Sequence, residues 1–285
     1  MQYRHLNISR DGHVLQCRMS NPPLQTLNSR MLAELHHLLT DIENDADVRV
    51  FVVTGENGVF LRWMDLTEMQ AYAEGTREVE VGGRSAAEEM LEIYQQIPEL
   101  VSSIHQLALR IQNLRAVTVA AINGVVGGGG CEFSLSFDFR LMMDHPEATF
   151  ALPQTSFGLV PGGGGAWHCV RLLGRARALD VLLHGEFMAP ATALGIGLIS
   201  RLYPPATYEA DVAAFVANMA GRAPLALRGV KALVGFGTSQ GQLDFFAREQ
   251  EELNKVIHSE DVRNALAMWL ANPDPAAYQP VFNGR

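Results

Sequence analysis

Two runs of four glycines, Gly127–Gly130 and Gly162–Gly165, constrain this chain more than any other feature of it. Each follows a short apolar stretch and precedes a helix-like one. Residues without side chains leave their N–H groups uncovered, and the start of a helix adds free donors and the positive end of its dipole. Such a place binds phosphate or holds a developing oxyanion, or it lets a helix lie close on a strand. The phosphate fingerprints fail on spacing. A G-x-G-x-x-G pattern from Gly127 needs glycine where Glu132 stands, and from Gly162 it needs glycine where Trp167 stands. Other starts fail too, and neither run is followed by G-K-[ST].

Around the glycines, strands and helices alternate. Tyr3 to Ile8 and Val14 to Met19 read as a hairpin turning at Asp11-Gly12. Asn28 caps a helix with the stripe Met31, Leu32, Leu35, Leu38 and Leu39. Val48 to Thr54 is a β-branched buried strand, and Gly55 to Met64 a loop. Thr67 to Asn113 reads as mostly helical, interrupted at Gly82-Gly83. Val117 to Ile122, Phe139 to Met143, Ala148 to Leu152 and Leu198 to Tyr203 are strands. Helices start near Cys131, at Ala166 (closing at Gly174) and at Pro190. From Tyr208 the pattern is helical only, with Ser259 as a cap. The expected class is therefore α/β, with a body over residues 1–205 and a helical region over 206–285.

With 48% hydrophobic residues in 285, the chain can bury a large core. Its net charge of −9 argues against nucleic acid as the main partner. Cys17, Cys131 and Cys169 fit neither a zinc pattern nor a disulfide framework, so no metal is expected and a reducing, cytoplasmic setting is. No run approaches the length of a membrane span.

Glu132 adds the chemistry. It lies two positions past the last glycine of the first run, among Cys131, Phe133 and Leu135. Apolar surroundings disfavour a charged carboxylate, which makes it a usable proton carrier. Beside free N–H donors it makes an enolate site: the donors hold the negative oxygen and the carboxylate moves a proton. The stretch Thr118 to Phe133 resembles the crotonase pattern v-i-A-A-v-N-G-x-x-x-G-G-G-x-E-l. Phe150 to Gly165 resembles F-x-x-P-E-x-x-x-G-x-x-P-G-x-G-G, and Val50 to Leu66 resembles v-v-l-T-G followed by F-c-A-G-a-D-L. The chain is thus identified as a member of the crotonase superfamily, the enoyl-CoA hydratase/isomerase group.

That resemblance implies a spiral of ββα units, an acyl-CoA substrate with coenzyme A as its carrier and no permanently bound cofactor, and trimers or paired trimers. It implies an oxyanion hole from the N–H groups of Met64 and Gly129, a coenzyme path along Asp65, Leu66 and Thr67, and Glu132 as acid/base. Two departures stand out. Gln154 occupies the position of the family's second glutamate, and an amide carries no proton at neutral pH. Leu61-Arg62-Trp63-Met64 replaces a run of small residues. Single-base chemistry (isomerisation, decarboxylation or C–C cleavage) and a catalytically silent CoA-binding homologue stand as alternatives to hydration. Asp65 is read as a loop-capping carboxylate, Arg62 as a solvated loop residue, and His168 as a helix residue facing a neighbour. The stripe Leu243, Phe246, Leu253 and Val256 calls for a partner surface.

Overall fold

Strands β1 (Leu6–Asp11) and β2 (Val14–Met19) pair antiparallel across the turn Gly12-His13, where Gly12 takes φ +53°. The computed structural model in which this is seen describes residues 3–73, 80–81, 84–85, 103–236, 242–272 and 279–285. The hairpin forms one edge of a six-stranded sheet. The order continues through β3 (Val50–Thr54), β7 (Val117–Ile122), β9 (Phe139–Met143) and β11 (Arg201–Tyr203), all parallel to β2. A three-stranded parallel sheet holds β10 (Phe150–Ala151), β8 (Val125–Gly127) and β4 (Val59–Leu61) in that order.

The two sheets are threaded by one repeating move. β3, β4 and helix α2 (Leu66–Ala73) follow each other; so do β7, β8 and α4 (Gly129–Leu135), and β9, β10 and α5 (Gly165–His184). In each ββα unit the first strand joins the larger sheet and the second the smaller, one place along from the unit before. The α/β class and the ββα spiral expected from the sequence are those observed.

Burial on both faces explains the unbroken apolar runs of β3 and β7. Phe51, Val53, Ala120 and Ile122 turn into the main core, with Met31, Leu35 and Leu39 of α1 (Ser29–Asn44). Val50, Val52, Val117, Val119 and Ala121 turn into a second cluster on the other face. Helix α7 (Tyr208–Ala220) closes that face with Tyr208, Val212 and Val216, and Tyr208 Oη donates to Leu141 O at 3.2 Å. As read from the sequence, Asn28 Oδ1 accepts from Met31 N at 2.8 Å and Ser259 Oγ from Val262 N at 3.2 Å.

Three readings need correction. β4 lies inside the stretch read as a loop, and β8 runs into the first glycine run, ending on Gly127. The stretch read as mostly helical contains a short antiparallel pair, β5 (Glu80–Val81) with β6 (Arg84–Ser85), before α3 (Ser103–Asn113); Gly82 and Gly83 lie outside the described residues. Gly174 does break its helix, at φ 73° and ψ 167°, but the chain resumes helical turns as far as His184.

After α6 (Pro190–Ile196) and β11, the described residues contain helices only: α7, α8 (Pro224–Phe236), α9 (Gln242–Ile257) and α10 (Glu260–Ala271). Of the α9 stripe, Phe246, Leu253 and Val256 share a cavity with Val230 and Leu233 of α8, yet Phe246 and Leu253 remain 51% and 48% exposed. The side chain of Leu243 lies outside the described set. No helix among the described residues is long and apolar enough to cross a membrane.

Candidate active site

The loop after β4 presses against the first glycine run. A Cβ on Gly130 would lie 2.3 Å from Leu61 O, and one on Gly127 would lie 3.1 Å from the Trp63 ring. Glycine is needed here because no side chain fits between the loop and the start of α4. The loop itself is pinned to Leu27 as a parallel bridge: Leu27 N donates to Trp63 O at 2.8 Å, and Asp65 N donates to Leu27 O at 2.9 Å. In that pattern both bonds go to the neighbours of Met64, so the Met64 N–H points away from Leu27, toward α4. Gly129 is the first residue of α4, and its N–H has no acceptor within the helix. A Cβ on Gly129 would lie 3.3 Å from Met64 N, so the two residues meet closely at the head of the helix.

The second glycine run serves Glu132. Its Oε1 accepts from Gly163 N at 2.7 Å and from Gly165 N at 2.9 Å. A Cβ on Gly165 would strike that carboxyl, 2.9 Å from Oε1. Glu132 Oε2 accepts from Gln154 Nε2 at 3.0 Å. Glu132 as a whole is only 3% exposed. Burial pushes its pKa above the ordinary carboxylate value, while Gly165, Gly163, Gln154 and the Gly162 backbone pull the other way without reversing it. At Gln154 the other end of the amide, Oε1, is buried with no hydrogen-bond partner.

Met64, Leu66, Gly129, Glu132 and Gln154 line one cavity of about 630 Å³ whose remaining walls are largely apolar, among them Trp63, Met69, Ile104, Phe157 and Val160. Thus the sequence-selected residues converge, with two exceptions. Asp65 and Thr67 are not on the lining. Asp65 caps α2, with Oδ1 accepting from Thr67 N at 3.0 Å and Glu68 N at 3.3 Å. Its burial raises its pKa, but the bonds from Thr67, Glu68 and Thr26 together hold it below the usual range. Arg62 is also off the lining; its N–H donates to Gln25 O at 3.0 Å.

His168 faces away from this cavity. Its Nε2 meets Gln112 Nε2 at 3.2 Å on the wall of a separate pocket. Burial, with Arg140 and Arg171 nearby, lowers its pKa to about 4, so the ring is neutral. Sequence reasoning missed the Gly163 and Gly165 N–H groups as holders of Glu132. Only the spare glycines of the second run pointed to them.

The chain matches the family model described as enoyl-CoA hydratase/isomerase over residues 9–98 and 83–279. A short-chain-enoyl-CoA hydratase of Clostridium acetobutylicum is 24% identical over 274 residues, covering 95% of this chain and 96% of its own length. The 2,3-dehydroadipyl-CoA hydratase of Escherichia coli is 27% identical over 271 residues, covering 95% and 97%. Among solved structures, an enoyl-CoA hydratase from Bacillus anthracis aligns with a TM-score of 0.83 at 25% identity, over 99% of this chain and 100% of the other.

Proposed function

The chain belongs to the enoyl-CoA hydratase/isomerase family, and on that premise we propose that it binds an acyl-CoA thioester in the Glu132 cavity and moves one proton through that residue. The thioester oxygen lies at the head of α4 and takes hydrogen bonds from the Met64 and Gly129 N–H groups, with the coenzyme passing along Asp65, Leu66 and Thr67. When a proton leaves the carbon next to the thioester, charge develops on that oxygen. Fixed main-chain donors stabilise it without having to reorganise. Coenzyme A enters as part of the substrate.

The observation that carries this reading is the lone-pair count at Glu132. A carboxylate offers about four acceptor positions. Gly163 and Gly165 occupy those of Oε1, and Gln154 takes one on Oε2. Oε2 is thus the less occupied of the two oxygens by these bonds, and the proton travels through that atom. Gln154 orients Oε2 and carries no proton itself. A single carboxylate suits taking a proton from one carbon and returning it to another, or protonating the enolate left by cleavage of a neighbouring bond. Hydration in this site would require Glu132 to serve both the water and the α-carbon.

Glu132→Gln keeps an acceptor for Gly163 and Gly165 and removes the proton carrier. Against a panel of enoyl-CoA thioesters, kcat should fall by about 10²- to 10⁴-fold while coenzyme A still binds. Coenzyme A binding with no turnover that depends on Glu132 would mean a catalytically silent homologue and would end this proposal.

A further inference from the structure

At the opposite ends of the larger sheet's central strands, four arginines gather on one cavity whose lining holds a single acid, Asp47. Arg49 directly precedes β3, Arg115 comes just before β7, Arg228 lies in α8, and Arg285 ends the chain. All four line one cavity of about 370 Å³. The catalytic cavity gathers beyond the other ends of the same parallel strands, where β3 leads to β4 and β7 leads to β8, so the two are separate places.

The arginines have backbone partners at most. Arg49 donates to Ala220 O at 3.3 Å and Arg115 to Glu43 O at 2.7 Å. Among the described residues, none of the four forms an ion pair with a carboxylate. Glu252, whose field Arg228 shares, is already paired with Arg248 at 2.7 Å and Lys255 at 2.6 Å. Arg285 O accepts from Asp261 N at 3.2 Å, and the Asp261 carboxylate holds Asn283 N at 2.7 Å and Gly284 N at 2.8 Å. Residues 283–285 are therefore tied by their backbone to the start of α10, and Arg285 is among the residues on the cavity lining. Asp47 is the acid on the lining.

Like charges that converge repel one another unless an anion joins them. Acidic residues outnumber basic ones 31 to 22 in this chain, so an excess of base does not account for the gathering. Guanidinium groups present paired donors that match the oxygens of phosphate. The net charge of −9 disfavours a nucleic acid, and the cavity has the volume of a small molecule.

We propose that this cavity binds a small phosphate-type polyanion, with a diphosphate as the fitting chemistry, either free or carried on a nucleotide or a coenzyme. Arg49 and Arg115 belong to the sheet body and Arg228 and Arg285 to the C-terminal helical region, so the anion fastens one to the other. The test titrates the intact protein with inorganic pyrophosphate at fixed ionic strength, by calorimetry, with and without coenzyme A. One pyrophosphate should bind per chain, and Arg115→Gln with Arg228→Gln should weaken it by at least about 10-fold. Arg115→Lys with Arg228→Lys keeps the charges but loses the paired donors, and should fall between the two. Pyrophosphate binding that persists beside coenzyme A supports a free anion as the ligand. Displacement by coenzyme A, with both ligands weakened by the glutamine pair, supports the coenzyme's own diphosphate in this cavity. No pyrophosphate binding at millimolar concentration, or binding that the glutamine pair leaves unchanged, overturns the proposal. Neither result bears on the Glu132 site, which is read by turnover.

Discussion

At Gln154 an amide stands where the crotonase pattern has a carboxylate, and its two ends meet different surroundings. Nε2 donates to Glu132, and Oε1 is buried without a partner. Gln154→Glu returns the missing carboxylate and replaces a donor by a like charge beside Glu132. If the wild type hydrates crotonyl-CoA poorly, this change should raise the rate; a wild type that already hydrates it briskly would show that another group supplies the second acid. Glu132 has its own signature in stability. A carboxyl whose folded pKa lies above its unfolded value contributes stability that is present at low pH and lost as pH rises through the folded value. Glu132→Gln, which does not titrate, should therefore gain in melting temperature relative to wild type as the pH rises above the ordinary carboxylate range; a difference that stays flat with pH would contradict the raised pKa. Glu132, Gly129 and Met64 were legible in the sequence because a spaced motif carries them. The clasp on Glu132 was not, because its donors are main-chain groups 31 and 33 residues further on, and glycine letters do not say what their N–H groups touch.

The ββα units show why some elements could be read and others could not. β3 and β7 are long enough, and buried on both faces, to announce themselves as apolar runs. β4 and β8 hold three residues each, too few for any period to show, and they exist because neighbouring units align them. The glycines can be sorted in the same physical way. Gly130→Ala drives a Cβ into the Leu61 carbonyl, whereas a Cβ on Gly162 meets nothing within 4 Å. The first substitution should cost about 1–3 kcal/mol, and the second should stay within about 0.5 kcal/mol. Denaturant unfolding measures both, and equal costs would mean that the close approach of loop and helix is not what glycine serves here.

The whole molecule leaves large apolar side chains in the open. Val160 is 79% exposed and Leu183 64%, alongside half-exposed Phe246 and Leu253. Surface of this kind calls for cover, and we expect a homotrimer or a pair of trimers. Sedimentation at micromolar concentration should find three or six chains, and a stable monomer would refute it. We place the division of the chain at about residue 205, with the sheets in 1–205 and, among the described residues, helices alone in 206–285. Yet α7, just past that division, is what covers Val50, Val52, Val117 and Val119. During synthesis the order of emergence therefore matters. A nascent chain that has exposed every strand of both sheets still shows the ribosome's surroundings a bare hydrocarbon face. It stays bare until Tyr208, Val212 and Val216 have cleared the exit tunnel.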